Sequence, residues 1–200
     1  MKINKKMLEN MSEWMERQDD IPAGWAYIGD DKERYLLGEP GSYNMLIFGI
    51  NPSEASPGEN NLDPTTRRVR KIAKEEGYDG WLIVNLYPLR DKNPDMLPDE
   101  PDKVLVENNL KVLEALEKNY TIGKIWAAWG DSIDNQFYLG DGVYDIQEVI
   151  SSDQWFYRGT MTKAGNPRHP LYLKSDEKFN WFPIADYAAD WRFSNLNPKI

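Results

Sequence analysis

Apolar residues along this chain gather into short blocks separated by turn formers. Met45-Leu46-Ile47-Phe48-Gly49-Ile50 is a continuous apolar run with turn residues on both sides, the pattern of a central strand covered on both faces. Trp81-Leu82-Ile83-Val84-Asn85-Leu86 repeats it, and Pro88 ends that strand and opens a proline-punctuated loop over 88–101. Ile125–Trp129 is a third such block, closed by Gly130, and Trp155–Met161 predicts a fourth strand. The intervening segments carry helical signals. After the Pro-, Gly- and Asn-rich loop 51–63, Asp63 reads as an N-cap with Pro64 at the first helical position. That helix is expected to reach about Glu76 and stop at Gly77. Residues 102–118 place Leu105, Asn109, Val112, Leu113 and Leu116 on one side of a second helix. Residues 131–151 are ambiguous, with helical turns around Ile133–Leu139, and the polar, aromatic tail 174–200 has neither period.

At the start of the chain, Met7, Leu8, Met11, Trp14 and Met15 form one stripe of an amphipathic helix over 4–18. Such a stripe serves more often to dock on a core than to hold a ligand. Residues 25–38 alternate loosely around Gly29-Asp30-Asp31, as a short hairpin or an irregular arm. The organisation expected is a single domain: an N-terminal helix and hairpin or arm over 1–40, packed on an α/β unit over 41–200. Alternating strands and helices predict a three-layer α/β/α sandwich around a mostly parallel sheet of about four strands. In such sheets ligands bind outside the carboxyl ends of the strands.

Composition narrows the function. The 200 residues are 40% hydrophobic and 28% charged, which suits a globular chain. There is no cysteine, which excludes disulfides, thiolate nucleophiles and zinc–thiolate sites. A single histidine leaves only carboxylates as further metal ligands, and the chain has no calcium-loop, Walker or dinucleotide glycine motif. No metal or cofactor is therefore expected. The first residues carry no long apolar run of a secretory signal, and no stretch approaches a membrane span, so a cytoplasmic location is the default. No feature specifies an oligomer. The net charge of −9 disfavours non-specific binding to a nucleic-acid backbone. The local exception is Arg67, Arg68, Arg70 and Lys71, which reads equally as a phosphate-contacting patch or as a solvated helix face balanced by Glu75 and Glu76.

The candidate chemistry lies just past the end of each strand: Asn51-Pro52-Ser53, then Asn85 before Tyr87, then Trp129-Gly130-Asp131, then Arg168-His169-Pro170-Leu171-Tyr172. A parallel sheet brings these together on one edge. His169 acts there either as a donor or acid–base group, or as a hydrogen-bonded structural residue. Asn51 before proline is a common turn former, but its carboxamide also suits the positioning of a water. Asn85 at the end of an apolar strand demands partners, and a carboxamide is the natural reader of a base edge. Ser53 lacks the Gly-x-Ser-x-Gly elbow of a serine hydrolase.

Taken together, Gly49-Ile50-Asn51-Pro52-Ser53, Asp63-Pro64-Thr65-Thr66-Arg67-Arg68, Gly77-Tyr78-Asp79-Gly80, Val84-Asn85-Leu86, Ala128-Trp129-Gly130 and Gly165–Tyr172 resemble the family catalogued as domain of unknown function 1643, over about residues 43–173. More distantly, the same blocks are similar in order to the uracil-DNA glycosylase superfamily. That resemblance implies a fold of that type with a nucleobase pocket and N-glycosidic hydrolysis. Gly49 and Asn51 would belong to the water-positioning motif, and Asn85 would hold the base edge. His169 would stabilise the departing base, with Leu171 where the wedge residue approaches and Trp129 in the third-strand motif. Tyr87 is the expected stacking residue, with Arg67, Arg68 and Arg168 on phosphate. His169-Pro170 is followed by Leu171 in place of the usual serine. The ligand expected is a nucleobase, a nucleotide or nucleic acid. The rival readings are a non-catalytic nucleotide- or protein-binding module on the same pocket, and a small-nucleotide hydrolase.

Overall fold

The structure, a computed structural model, describes residues 21–196. The helix expected over 4–18 lies outside the described residues. Seven strands form one sheet: β1 (Ala26–Gly29), β2 (Arg34–Glu39), β3 (Asn44–Gly49), β4 (Gly80–Asn85), β5 (Ile122–Ala127), β6 (Trp155–Arg158) and β7 (Phe179–Trp181). Their spatial order is β1-β2-β4-β3-β5-β6-β7. The four strands at the centre, β4, β3, β5 and β6, run parallel, and these are the four apolar blocks of the sequence. The expectation of a mostly parallel, roughly four-stranded sheet is nevertheless corrected. The sheet is mixed, because β1, β2 and β7 are added antiparallel at its edges. The 25–38 segment is a hairpin that joins the sheet itself, with Leu37 opposite Ile83 of β4. Because β2 runs backwards, its first residue, Arg34, lies beside the carboxyl end of β4, where its N–H donates to Pro88 O.

Among the described residues four α-helices cover the sheet: α1 (Pro64–Glu75), α2 (Lys103–Asn119), α3 (Phe137–Val149) and α4 (Ile184–Leu196). Asp63 caps α1 by accepting from Thr66 N at 2.7 Å, with Pro64 next in the chain. The helix ends at Gly77, whose φ of +86° lets its N–H reach Lys74 O while Tyr78 N reaches Ala73 O. Asp102 caps α2 through Val104 N at 2.8 Å.

Strand alternation sends side chains to two cores. Leu46, Phe48, Leu82, Val84, Ile125 and Ala127 pack under α2, α3 and α4. Met45, Ile47, Trp81, Ile83, Trp126 and Ala128 pack under α1. Among the described residues the layering is therefore three helices, a sheet and one helix. Among the described residues, no helix is long and apolar enough to cross a membrane.

Candidate functional site

A cavity of about 490 Å³ opens at the carboxyl ends of β3, β4 and β5, on the α1 side of the sheet. Asn51, Asn85 and His169 all line it, together with Gly49, Ser53, Arg168 and Leu171. Each side chain arrives by a separate local device.

Asn85 ends β4, directly opposite Gly49 of β3. The residue is 2% exposed, and its Nδ2 has no hydrogen-bond partner among the described residues. Its amide fits because position 49 lacks a side chain: a Cβ there would sit 2.9 Å from Asn85 Oδ1. Behind it, Asn109 Nδ2 donates to Asn85 O at 2.9 Å, tying the strand end to α2.

Asn51 begins the loop after β3. Its Nδ2 donates to Asp91 O at 2.9 Å and Leu89 O at 3.3 Å, so this amide group binds the 89–91 loop to the cavity wall. No hydrogen bond uses Oδ1 among the described residues.

His169 precedes a short 3₁₀ turn, Pro170–Tyr172. Its Nδ1 accepts from Leu171 N at 3.4 Å, which assigns the ring proton of the neutral form to Nε2. Burial holds its pKa below the ordinary value, although the Asp63 carboxylate pulls the other way. Gly130, with φ +74°, docks this loop by donating its N–H to Pro167 O at 2.8 Å. A Cβ at 130 would lie 3.2 Å from His169 Cβ.

Ser53 donates its hydroxyl to Asp63. Burial opposes ionisation of Asp63, but hydrogen bonds from Ser53 and Thr66 and the charge of Arg34 outweigh it and hold the carboxyl below its ordinary range. Arg168 donates Nε to Thr160 O at 2.9 Å and has no carboxylate partner among the described residues. Behind the His169 loop, Asn166 bridges Asp131 and Asp134 at 3.1 and 3.0 Å and accepts from Tyr187 at 2.7 Å.

Other expected residues sit elsewhere than the strand-end reading placed them. Tyr87 does not line the cavity. The chain turns after Asn85 and carries Tyr87 to the other core, where it packs on Tyr138 and its hydroxyl accepts from Asp102 N at 3.0 Å. It cannot stack on a ligand there. Arg67 is exposed on α1 and folds back onto Leu62 O, while Arg68 braces Leu173 O, so neither reaches the cavity. Trp129 borders the cavity, but its indole is buried against Phe182 and Tyr187.

The sequence reading missed Arg34, Asp63 as a cavity carboxylate, and Tyr172. Tyr172 is 76% exposed at the rim, its ring 5.8 Å from the His169 ring, and takes the place at the mouth that Tyr87 does not fill. Arg34 carried a signal: a cation opening the otherwise apolar stretch Tyr35-Leu36-Leu37. No group of metal-ligating side chains assembles among the described residues.

The model of a family described as "Protein of unknown function (DUF1643)" matches residues 34–171. No curated protein and no solved structure matches the chain significantly.

Proposed function

We propose that this chain, which belongs to the DUF1643 family, binds a nucleobase-bearing ligand in the strand-end cavity and hydrolyses its N-glycosidic bond. Asn85 carries this reading: a buried amide with an unpartnered Nδ2, in a cavity shared with Asn51 and a neutral histidine. A buried amide group without a partner costs about 1–3 kcal/mol, and the amide edge of a base removes that cost. The order of the strand-end motifs, which resembles the uracil-DNA glycosylase superfamily, supports the same assignment.

In this mechanism Asn85 fixes the base edge. The Asn51 amide, pinned through Nδ2, offers Oδ1 to a water hydrogen. The water oxygen bonds to the anomeric carbon as the carbon–nitrogen bond breaks, and the bond's electron pair leaves with the base. His169 Nε2–H donates to the oxygen of the base on which that charge collects, an interaction stronger in the transition state than in the ground state. The water's proton ends on the released base. Asp63, ionised nearby, balances positive charge on the sugar. The test is incubation with uracil- and hypoxanthine-containing single and double strands and with the free nucleosides, then chromatography for released base. No release from any of them at high protein concentration rejects hydrolysis.

The second reading is a binding module without turnover. It is favoured by Asn51, whose amide group is committed to backbone carbonyls as a structural brace would be. Thermal shift with nucleosides then reports binding by mass action while no base is released.

A further inference from the structure

Arg34 differs from every other side chain lining the cavity. It is 3% exposed, yet no carboxylate lies within ion-pair distance among the described residues. Its Nη1 donates to Ala55 O at 2.9 Å, and among the described residues its Nε has no partner and no hydrogen bond uses Nη2. Arg90 donates to the same Ala55 carbonyl at 3.3 Å. Its remaining donors go to Asp30 O, Ser53 O and the Tyr27 hydroxyl. Two guanidiniums thus converge under the 53–55 loop with no carboxylate bonded to either. Asp63 is the anion that Arg34 feels, and both its oxygens already accept from Ser53 and Thr66. Burial and the Arg90 charge together push the Arg34 pKa down to about 10.

A guanidinium removed from water needs an anion, and a second cation beside it raises that need. The cavity wall also carries Thr65 and Thr66, in the first turn of the 12-residue helix α1, where the helix dipole favours negative charge and the Asp63 cap already takes the Thr66 N–H. The volume of about 490 Å³ exceeds what a lone base fills.

We propose that Arg34, backed by Arg90, is an anion subsite that takes the phosphate of a nucleoside monophosphate whose base lies at Asn85. This assignment rests on the base-binding reading above. The position of the subsite selects a terminal phosphate over a phosphodiester chain. Arg34 is buried inside the cavity, where a terminal phosphate needs one ester connection and an internal one needs two. The surroundings of the mouth point the same way. Asp91 and Asp131 line the cavity and Lys92 is paired with Glu54 at 2.7 Å, so at the mouth a passing strand meets two carboxylates and, among the described residues, Arg168 as the one cation without a carboxylate partner.

Calorimetric titration of the wild-type protein tests the proposal with five probes: a nucleoside, its 5′-monophosphate, inorganic phosphate, and an oligonucleotide with and without a 5′-phosphate. The monophosphate should bind at least about tenfold more tightly than the nucleoside, as expected for a charge-assisted bidentate contact. It should also bind more tightly than the 5′-phosphorylated oligonucleotide. In Arg34→Lys, which keeps the charge and loses the fork, the preference for the monophosphate should fall severalfold while nucleoside affinity stays within about twofold. Equal wild-type affinity for nucleoside and monophosphate overturns the subsite and leaves the base reading standing. Arg34-dependent binding of inorganic phosphate with no nucleoside bound overturns the base reading, and the nucleotide assignment with it. Tighter binding of the 5′-phosphorylated oligonucleotide than of the monophosphate overturns the choice of a free mononucleotide. The wild-type comparison stands even if substitution at 34 impairs folding.

Discussion

The two faces of the sheet are built from the same strands yet end in opposite conditions. On one face, α2, α3 and α4 pack over the strands, and the rings of Trp129, Tyr187 and Phe182 pack on one another. On the other face α1 is the one covering helix among the described residues, and the carboxyl ends of β3, β4 and β5 are left to loops. The polar side chains Asn85, Asn51, Asp63 and Arg34 collect where the helical layer is incomplete. A tightly packed layer leaves no room for a ligand, so the difference between the faces separates stability from chemistry.

That separation can be broken in order of expected effect. Leu113, fully buried under the three-helix face, is the strongest lever. Leu113→Ala should cost about 2–5 kcal/mol of unfolding free energy by denaturant titration, with ligand affinity per folded molecule unchanged. An equal loss of affinity would mean that the faces are coupled. Gly130→Ala comes next, because it imposes a side chain at φ +74° and 3.2 Å from His169 Cβ. About 1–3 kcal/mol of stability should go with it, together with a fall in base release larger than the fall in folded fraction. Gly49→Ala should act almost wholly on the site. Its Cβ would press on the Asn85 amide at 2.9 Å, lowering ligand affinity about tenfold for about 1 kcal/mol of stability, read by titration and by melting.

The smallest effect is a dependence on pH. Burial lowers the pKa of His169 in the folded state, so between that value and the ordinary 6.5 the unfolded chain binds more protons. Stability should fall as pH drops through this window and should be flat above it. Asp63 adds the same sign at lower pH, below its ordinary 3.8, where the folded carboxylate resists protonation. In His169→Gln the slope below pH 6.5 should shrink, measured as the melting temperature against pH, and an unchanged slope would assign it to other groups.

The four central strands were legible because each is a block of apolar residues between turn formers, α1 because a capping aspartate and a proline open it, and α2 because its apolar residues fall on one side. β7 and α4 were not, since Phe179–Trp181 is short and half exposed and the helical segment mixes polar and aromatic residues without a clear stripe. At the site, Asn51, Asn85 and His169 were legible as polar residues at or just past the ends of parallel strands. The same criterion misplaced Tyr87, because it does not say on which face the chain turns after the strand ends. Arg67 and Arg68 had two equal readings, and their backbone partners on and beside α1 keep them out of the cavity.

Arg34 escaped for a different reason, and the antiparallel course of β2 explains it. In an all-parallel sheet, one rule of punctuation suffices: look after the strand. A strand laid in the reverse direction delivers its opening residue to the same edge, so the rule must also be read backwards, as what stands before. Here the hairpin carries a cation from an early stretch of chain into a pocket otherwise composed by residues downstream of it. Direction of travel, as much as composition, decides which side chains meet.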